Sequence, residues 1–222
     1  MFDSGISVKE IIEELNEEVD IALPIPNKTY VTWLNALQQL LYGDVIKEQK
    51  KTTTTIRKQE RDPTFGLVYR VINPVPLSSI SIDGNQNQPT FEDICAVFIK
   101  DIQLMKSTVA SGEIFPNTFF KNNNDIGYNF NDQRNPFEDS STMTIVYYVK
   151  PALVTVTDTD EINDANVMLP VEFIDLVKAK LRGEAYKLAN EDDVAAKWLN
   201  DYNTLLETFK VWITDKSPNL GI

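Results

Sequence analysis

The residues able to do chemistry are few, and their gaps are as informative as their presence. The sequence holds no histidine, which removes the usual general base near neutral pH and every Ser-His or Cys-His nucleophile pair. The one cysteine, Cys95, lies inside the apolar run Ile94-Cys95-Ala96-Val97-Phe98-Ile99, with no cation beside it in sequence to stabilise a thiolate. A buried structural thiol is therefore expected. The eight glycines form neither G-x-x-x-x-G-K-[ST] nor G-x-G-x-x-G, so the common phosphate-cradling loops are missing. Carboxylates remain. Asp158, Asp160, Glu161 and Asp164 cluster closely enough to suggest a hard-cation loop, but they lack the glycine and closing glutamate of an EF-hand. A solvated loop leading to a helix is the expected reading. Neither a catalytic residue nor a cofactor nor a metal ligand is assigned, and a non-enzymatic protein is expected.

One stretch carries the opposite sign. Lys47, Lys50, Lys51, Arg57, Lys58 and Arg61 stand against Glu48 and Glu60. Two readings fit: a charged strand edge that discourages aggregation, or a docking site for an acidic partner or for passing DNA phosphates. Over the whole chain 21 Lys and Arg face 33 Asp and Glu, a net charge of -12. Such a surface opposes non-specific contact with nucleic acid. A single cysteine excludes an intramolecular disulfide framework. No basic-then-apolar leader is visible at Met1-Phe2-Asp3-Ser4, and the longest apolar runs are too short to cross a bilayer. A reducing, aqueous compartment is expected, or export by a route that leaves no signal in the sequence.

The elements that must position these residues can be read from periodicity. Ser7 and Glu10 form a capping box, with Ile6 and Ile11 placed as a hydrophobic staple. Ile11, Ile12, Leu15 and Val19 then follow at helical spacing until Pro24-Ile25-Pro26 ends the helix. Asn27 is expected to cap a second helix, carrying Tyr30, Val31, Leu34, Leu37 and Leu41. Gly43-Asp44 ends it, or Val45-Ile46 extends it by a turn. From Lys50 the pattern becomes β-rich. Strands are expected at 52–56, 67–72, 80–82, 94–99, 128–130 and 143–149, the last being the strongest, with a turn at Asp83-Gly84. Residues 121–139, rich in Asn and Asp, predict loops or a long hairpin. Pro170 opens a helix whose stripe is Phe173, Ile174, Val177, Leu181, Ala185 and Leu188. A further stripe of Ala195, Trp198, Tyr202, Leu205, Leu206, Phe209 and Trp212 follows after Asn190-Glu191-Asp192. Two such stripes joined so closely predict an antiparallel αα-hairpin, packed through Phe173, Val177, Leu181, Trp198, Tyr202 and Phe209.

The fold class expected is α+β. A helical bundle core is built from N-terminal helices (1–46) and a C-terminal hairpin and tail (161–222). A large antiparallel β-rich insertion (47–160) separates them.

Three stretches carry a likeness: the Pro-led aromatic and leucine-rich helix Ile25 to Leu41, the strand Met143-Thr144-Ile145-Val146-Tyr147-Tyr148-Val149 running into Lys150-Pro151-Ala152, and Leu169-Pro170-Val171-Glu172-Phe173-Ile174-Asp175 with the helices behind it to Trp212. In this order they resemble the head–tail connector (adaptor) proteins of tailed bacteriophages, which form a ring beneath the portal. The resemblance implies a structural virion protein at the head–tail neck, made in the host cytoplasm. It implies a homo-oligomeric ring, twelvefold in such proteins, that joins portal to tail and surrounds a DNA channel without holding the DNA specifically. It implies contact with the portal and other neck or tail proteins and none with a membrane, and it makes Leu220 and Ile222 candidate anchors of a portal-docking tail. The middle, 50–139, is longer and more β-rich than a minimal adaptor. A tail-completion or stopper protein, or a monomeric β-rich module binding a glycan or a protein, stands as the alternative.

Overall fold

Two orphan amides decide where the first helix starts. Ser7 accepts from the backbone N–H of Lys9, and the Glu10 carboxylate reaches back to the N–H of Ser7 at 3.3 Å. This reciprocal cap begins α1 (Val8–Glu18), whose Val8, Ile11, Ile12 and Leu15 are buried. The computed structural model describes residues 2–21, 24–56, 74–82, 84, 86–107, 117–130 and 141–216.

Helix α2 (Asn27–Leu40) follows Pro26 and buries Tyr30, Val31, Leu34, Leu37 and Gln38. It does not stop at Gly43. Leu41–Ile46 continue as a π-helical turn, closed by the Lys47 N–H donating to Tyr42 O at 3.1 Å, with Lys47 left-handed at φ 49°. Near the end of the chain, a 3₁₀ turn at Val171–Phe173 leads into α3 (Ile174–Leu188), and α4 (Asp192–Lys216) follows. The two pack as an antiparallel hairpin, the most extensive helix–helix contact among the described residues.

The chain divides into two compact units, Met1–Glu48 with Lys150–Ile222, and Gln49–Val149. Residues 150–160, grouped with the β-rich middle on sequence pattern, thus run with the helices. Side chains of α2 hold them there. Asn35 receives the Val154 N–H and donates to Val154 O, both at 2.9 Å, and Gln39 donates to Pro151 O at 2.9 Å. The first residues join the same unit, because residues 4–8 exchange backbone bonds with 165–167. Phe173, Phe209 and Trp212 pack against one another in this unit, with centroids 4.7 to 6.2 Å apart.

The described residues of the second unit form a seven-stranded sheet of β1 (Gln49–Ile56), β2 (Val75–Pro76), β3 (Ile94–Ile99), β4 (Ile102–Lys106), β5 (Thr118–Asn122), β6 (Asp125–Asn129) and β7 (Ser141–Tyr148). Their order is β1-β7-β3-β4-β5-β6-β2. The sheet is mixed rather than antiparallel throughout, since β4 and β5 run parallel with Met105 opposite Thr118. Eleven residues separate those two strands in sequence, more than a tight hairpin turn uses.

The expected strand at 80–82 is absent. A 3₁₀ turn at Leu77–Ser79 precedes it, and Gln88 donates its side-chain amide to the carbonyls of Leu77 and Ile80. The Ile80 carbonyl is thus met by a side chain rather than by a neighbouring strand. Gly84 sits in a turn, as expected of Asp83-Gly84, while the strand expected at 67–72 lies outside the described residues.

Candidate assembly surfaces

The αα-hairpin brings its predicted packing residues together. Phe173, Val177, Leu181, Tyr202 and Phe209 are buried, and Trp198 is half-buried beneath the Arg182 guanidinium, 4.7 Å from its ring. Gly183 shows how close the helices come. A Cβ there would stand 2.7 Å from Leu199 Cδ2. Arg182 also pairs with Glu18, and Lys178 holds Glu14 at 2.5 Å, so α1 is clasped to α3 by charge as well as by apolar contact. Leu188, placed in the apolar stripe by spacing, is instead 57% exposed at the end of α3. Leu220 and Ile222, the candidate tail anchors, lie outside the described residues.

One member of the carboxylate cluster, Asp160, has a structural task. Residues 155–163 fold back on themselves, with Thr157 N–H donating to Glu161 O and Asn163 N–H to Thr155 O. Asp160 sits at the tip with φ 63°. Its carboxylate accepts from the backbone N–H of Asn27 and of Lys28, both at 2.9 Å, and its own carbonyl accepts from the Asn27 side chain at 2.8 Å. Asn27 is thus not the cap of α2 but the first residue capped. A carboxylate 133 residues away supplies the anion that the positive end of a helix favours. Among the described residues no three acidic or cysteine side chains gather as a metal-holding group.

The basic stretch divides. Lys47 closes the π-helical turn. Lys50 and Lys51 follow on β1, the outermost of the described strands on its side of the sheet. Successive residues of a strand face opposite ways, and the burial alternates accordingly: Lys51, Thr53 and Thr55 are exposed, Lys50, Thr52 and Thr54 half-buried. Lys50 and Lys51 therefore do not form one basic face. Arg57, Lys58 and Arg61 lie outside the described residues. Elsewhere in the sheet unit, Lys106 bonds the carbonyls of Phe91, Glu92 and Ile94 at 2.9 to 3.4 Å and stands 4.9 Å from the Phe91 ring. Lys121 binds Glu92 at 2.8 Å, which holds the Glu92 carboxyl below the usual range. These two cations are tied down by neighbours.

Cys95 is half-buried rather than enclosed. It is the extra residue where the β3–β7 register slips, Ile94 facing Tyr147 and Ala96 facing Val146. A bulge takes it out of the regular pairing of the strand, which an apolar run alone does not reveal. Burial still pushes its thiol up from the ordinary value, the reverse of what a nucleophile needs.

Sequence pattern overlooked a separation of charge between the two units. The helical unit carries 11 Lys and Arg against 22 Asp and Glu, while the sheet unit carries 10 against 11. Nearly all the net negative charge belongs to the helical unit. The signal was available in the sequence but needed the unit boundaries at 48/49 and 149/150 to become visible. No family model matches the chain, and no curated protein matches it.

Proposed function

We propose that the protein is a structural virion component, a head–tail connector subunit that forms a homo-oligomeric ring joining portal to tail around a DNA channel. The separation of charge carries the reading. A conduit through which DNA must slide works best when its walls do not bind phosphates, and twice as many acids as bases on the helical unit gives that character. The near-neutral sheet unit leaves contacts between copies without a like-charge penalty. The tight αα-hairpin supplies a rigid scaffold, and strand β1, with Lys51, Thr53 and Thr55 exposed, lies at one side of the described sheet. The Leu220 and Ile222 tail is assigned to portal docking, by resemblance to adaptors.

Light scattering during size-exclusion chromatography tests the reading. The chain alone is expected to elute as a monomer or small oligomer, and mixing with the portal ring of the phage that encodes it is expected to give a complex larger than either. Deleting residues 214–222 should abolish that complex. Undiminished binding after the deletion would remove the tail assignment, and failure of the full chain to bind any portal assembly would remove the connector reading itself.

A further inference from the structure

The apolar core of the helical unit has a long gap in sequence. Among the described residues its buried cluster runs from Val8 to Ile46, resumes at Val154 and ends at Ile213, and nothing from Gln49–Val149 belongs to it. The sheet unit buries side chains of its own. Val97, Ile99, Leu104, Met143 and Ile145 are 0 to 1% exposed, and register sets Val97 opposite both Leu104 and Ile145, and Ile99 opposite Met143. Cooperative unfolding spreads through shared buried contacts, so two cores divide it.

The connections favour the same division. Strands β1 and β7 are paired from Gln49 opposite Tyr148 onward, so the chain enters and leaves the sheet unit on neighbouring strands. Both roots are held by the helical unit's own bonds. At the entry the Lys47 N–H donates to Tyr42 O at 3.1 Å. At the exit Gln39 donates to Pro151 O and the Val154 N–H donates to Asn35 Oδ1, both at 2.9 Å. With the sheet unit opened, Gln49–Val149 becomes one long loop between these held points. The closure cost of a loop rises only with the logarithm of its length, so the helical unit tolerates that state. Each unit also has the size of an ordinary domain.

From the separate cores and the paired connections together we infer that the sheet unit is a separately cooperative insertion, which opens and refolds while the helical unit keeps its structure. That makes the sheet unit the part of the chain able to rearrange without disturbing the αα-hairpin. The inference goes beyond the connector reading and does not depend on it.

Urea unfolding of the full-length protein tests it with probes that the sequence already supplies. All three tryptophans, Trp33, Trp198 and Trp212, lie in the helical unit, so their fluorescence reports on that unit. Hydrogen exchange, read by mass on peptic fragments, follows β3 and β7 in the sheet unit. Ile145→Ala, at a fully buried position of β7, should cut the protection of β3 and β7 about thirtyfold or more and leave the tryptophan midpoint where it was. Leu181→Ala, fully buried in α3, should lower the tryptophan midpoint and leave the protection of β3 and β7 unchanged. Should Ile145→Ala leave the sheet unit unfolded outright, the parent's tryptophan transition is still expected. The inference is overturned if either substitution moves both probes, because the two units then unfold as one.

Discussion

Asp160 shows how much one side chain can do far from its own place in the sequence. Its two backbone acceptor bonds anchor the start of α2, and they tie the segment that returns from the sheet unit to the helix it runs beside. Removing the carboxylate leaves two helix N–H groups without their anion. Asp160→Ala is expected to cost about 1–2 kcal/mol, a fall in Tm of roughly 2–8 °C for a chain of this size. Asp160→Asn keeps an acceptor and tolerates the left-handed backbone, so it should cost less than half as much. Thermal melts of the two variants read this directly, and an Asp160→Ala protein as stable as the parent would remove the capping role. No local pattern could have revealed this contact. Asn27 looked like the cap because Asn caps helices, but the partner that won lies 133 residues on, at a position sequence spacing linked to metal binding.

At the scale of elements, what was legible follows from where each partner comes from. The Ser7–Glu10 cap, the stripes of α3 and α4, and strands β3 and β7 are specified by neighbours within a few residues, and they stand where the pattern put them. The misses are those decided at long range. Ile80 and Ile82 alternate like a strand, but Gln88 takes up the Ile80 carbonyl that a strand would have offered. Cys95 lies in an apolar run, but a register slip against β7 makes it the odd residue out. Leu188 keeps the helical period of its stripe, yet the hairpin turn begins before anything covers it.

Gly183 offers the sharpest test at this scale. Glycine inside a helix costs about 1 kcal/mol against alanine, so its presence needs a packing reason, and the close approach of Leu199 supplies one. Gly183→Ala should gain propensity but force the helices apart, for a net loss of about 1 kcal/mol in urea denaturation. In a double-mutant cycle, Leu199→Ala should make room for the new methyl, giving a coupling of about 1 kcal/mol. Additive effects would show that the two helices do not press together at that point.

For the whole molecule, both units bury phenols, which makes alkaline pH a probe of each. Burial pushes Tyr128, in the sheet unit, up to about 12 and raises Tyr30, Tyr42 and Tyr202 in the helical unit. Unfolded tyrosines ionise near pH ~10. The folded pKa lies above the unfolded one, so this stability is fully present below pH ~10 and is lost as pH rises towards 12, by up to ~1.4 kcal/mol per pH unit for each such group. Tyrosinate absorbance followed alongside far-ultraviolet circular dichroism should show these phenols ionising together with loss of structure. Complete ionisation of all eight tyrosines with helices intact would contradict their burial.

Charge at this largest scale also carries the functional account. The fold class could be read from periodicity, whereas the concentration of acid on the helical unit emerged once the chain had been divided in space rather than in sequence. The connector reading treats that acidity as the lining of a passage and the sheet unit as the part free to meet its neighbours. Negative-stain electron microscopy of the protein mixed with the portal ring that the connector reading pairs it with tests this most directly. The account predicts end-on class averages with a second ring, twelvefold in symmetry, stacked on the portal and open at its centre. Portal rings unchanged by a molar excess of the protein would contradict it.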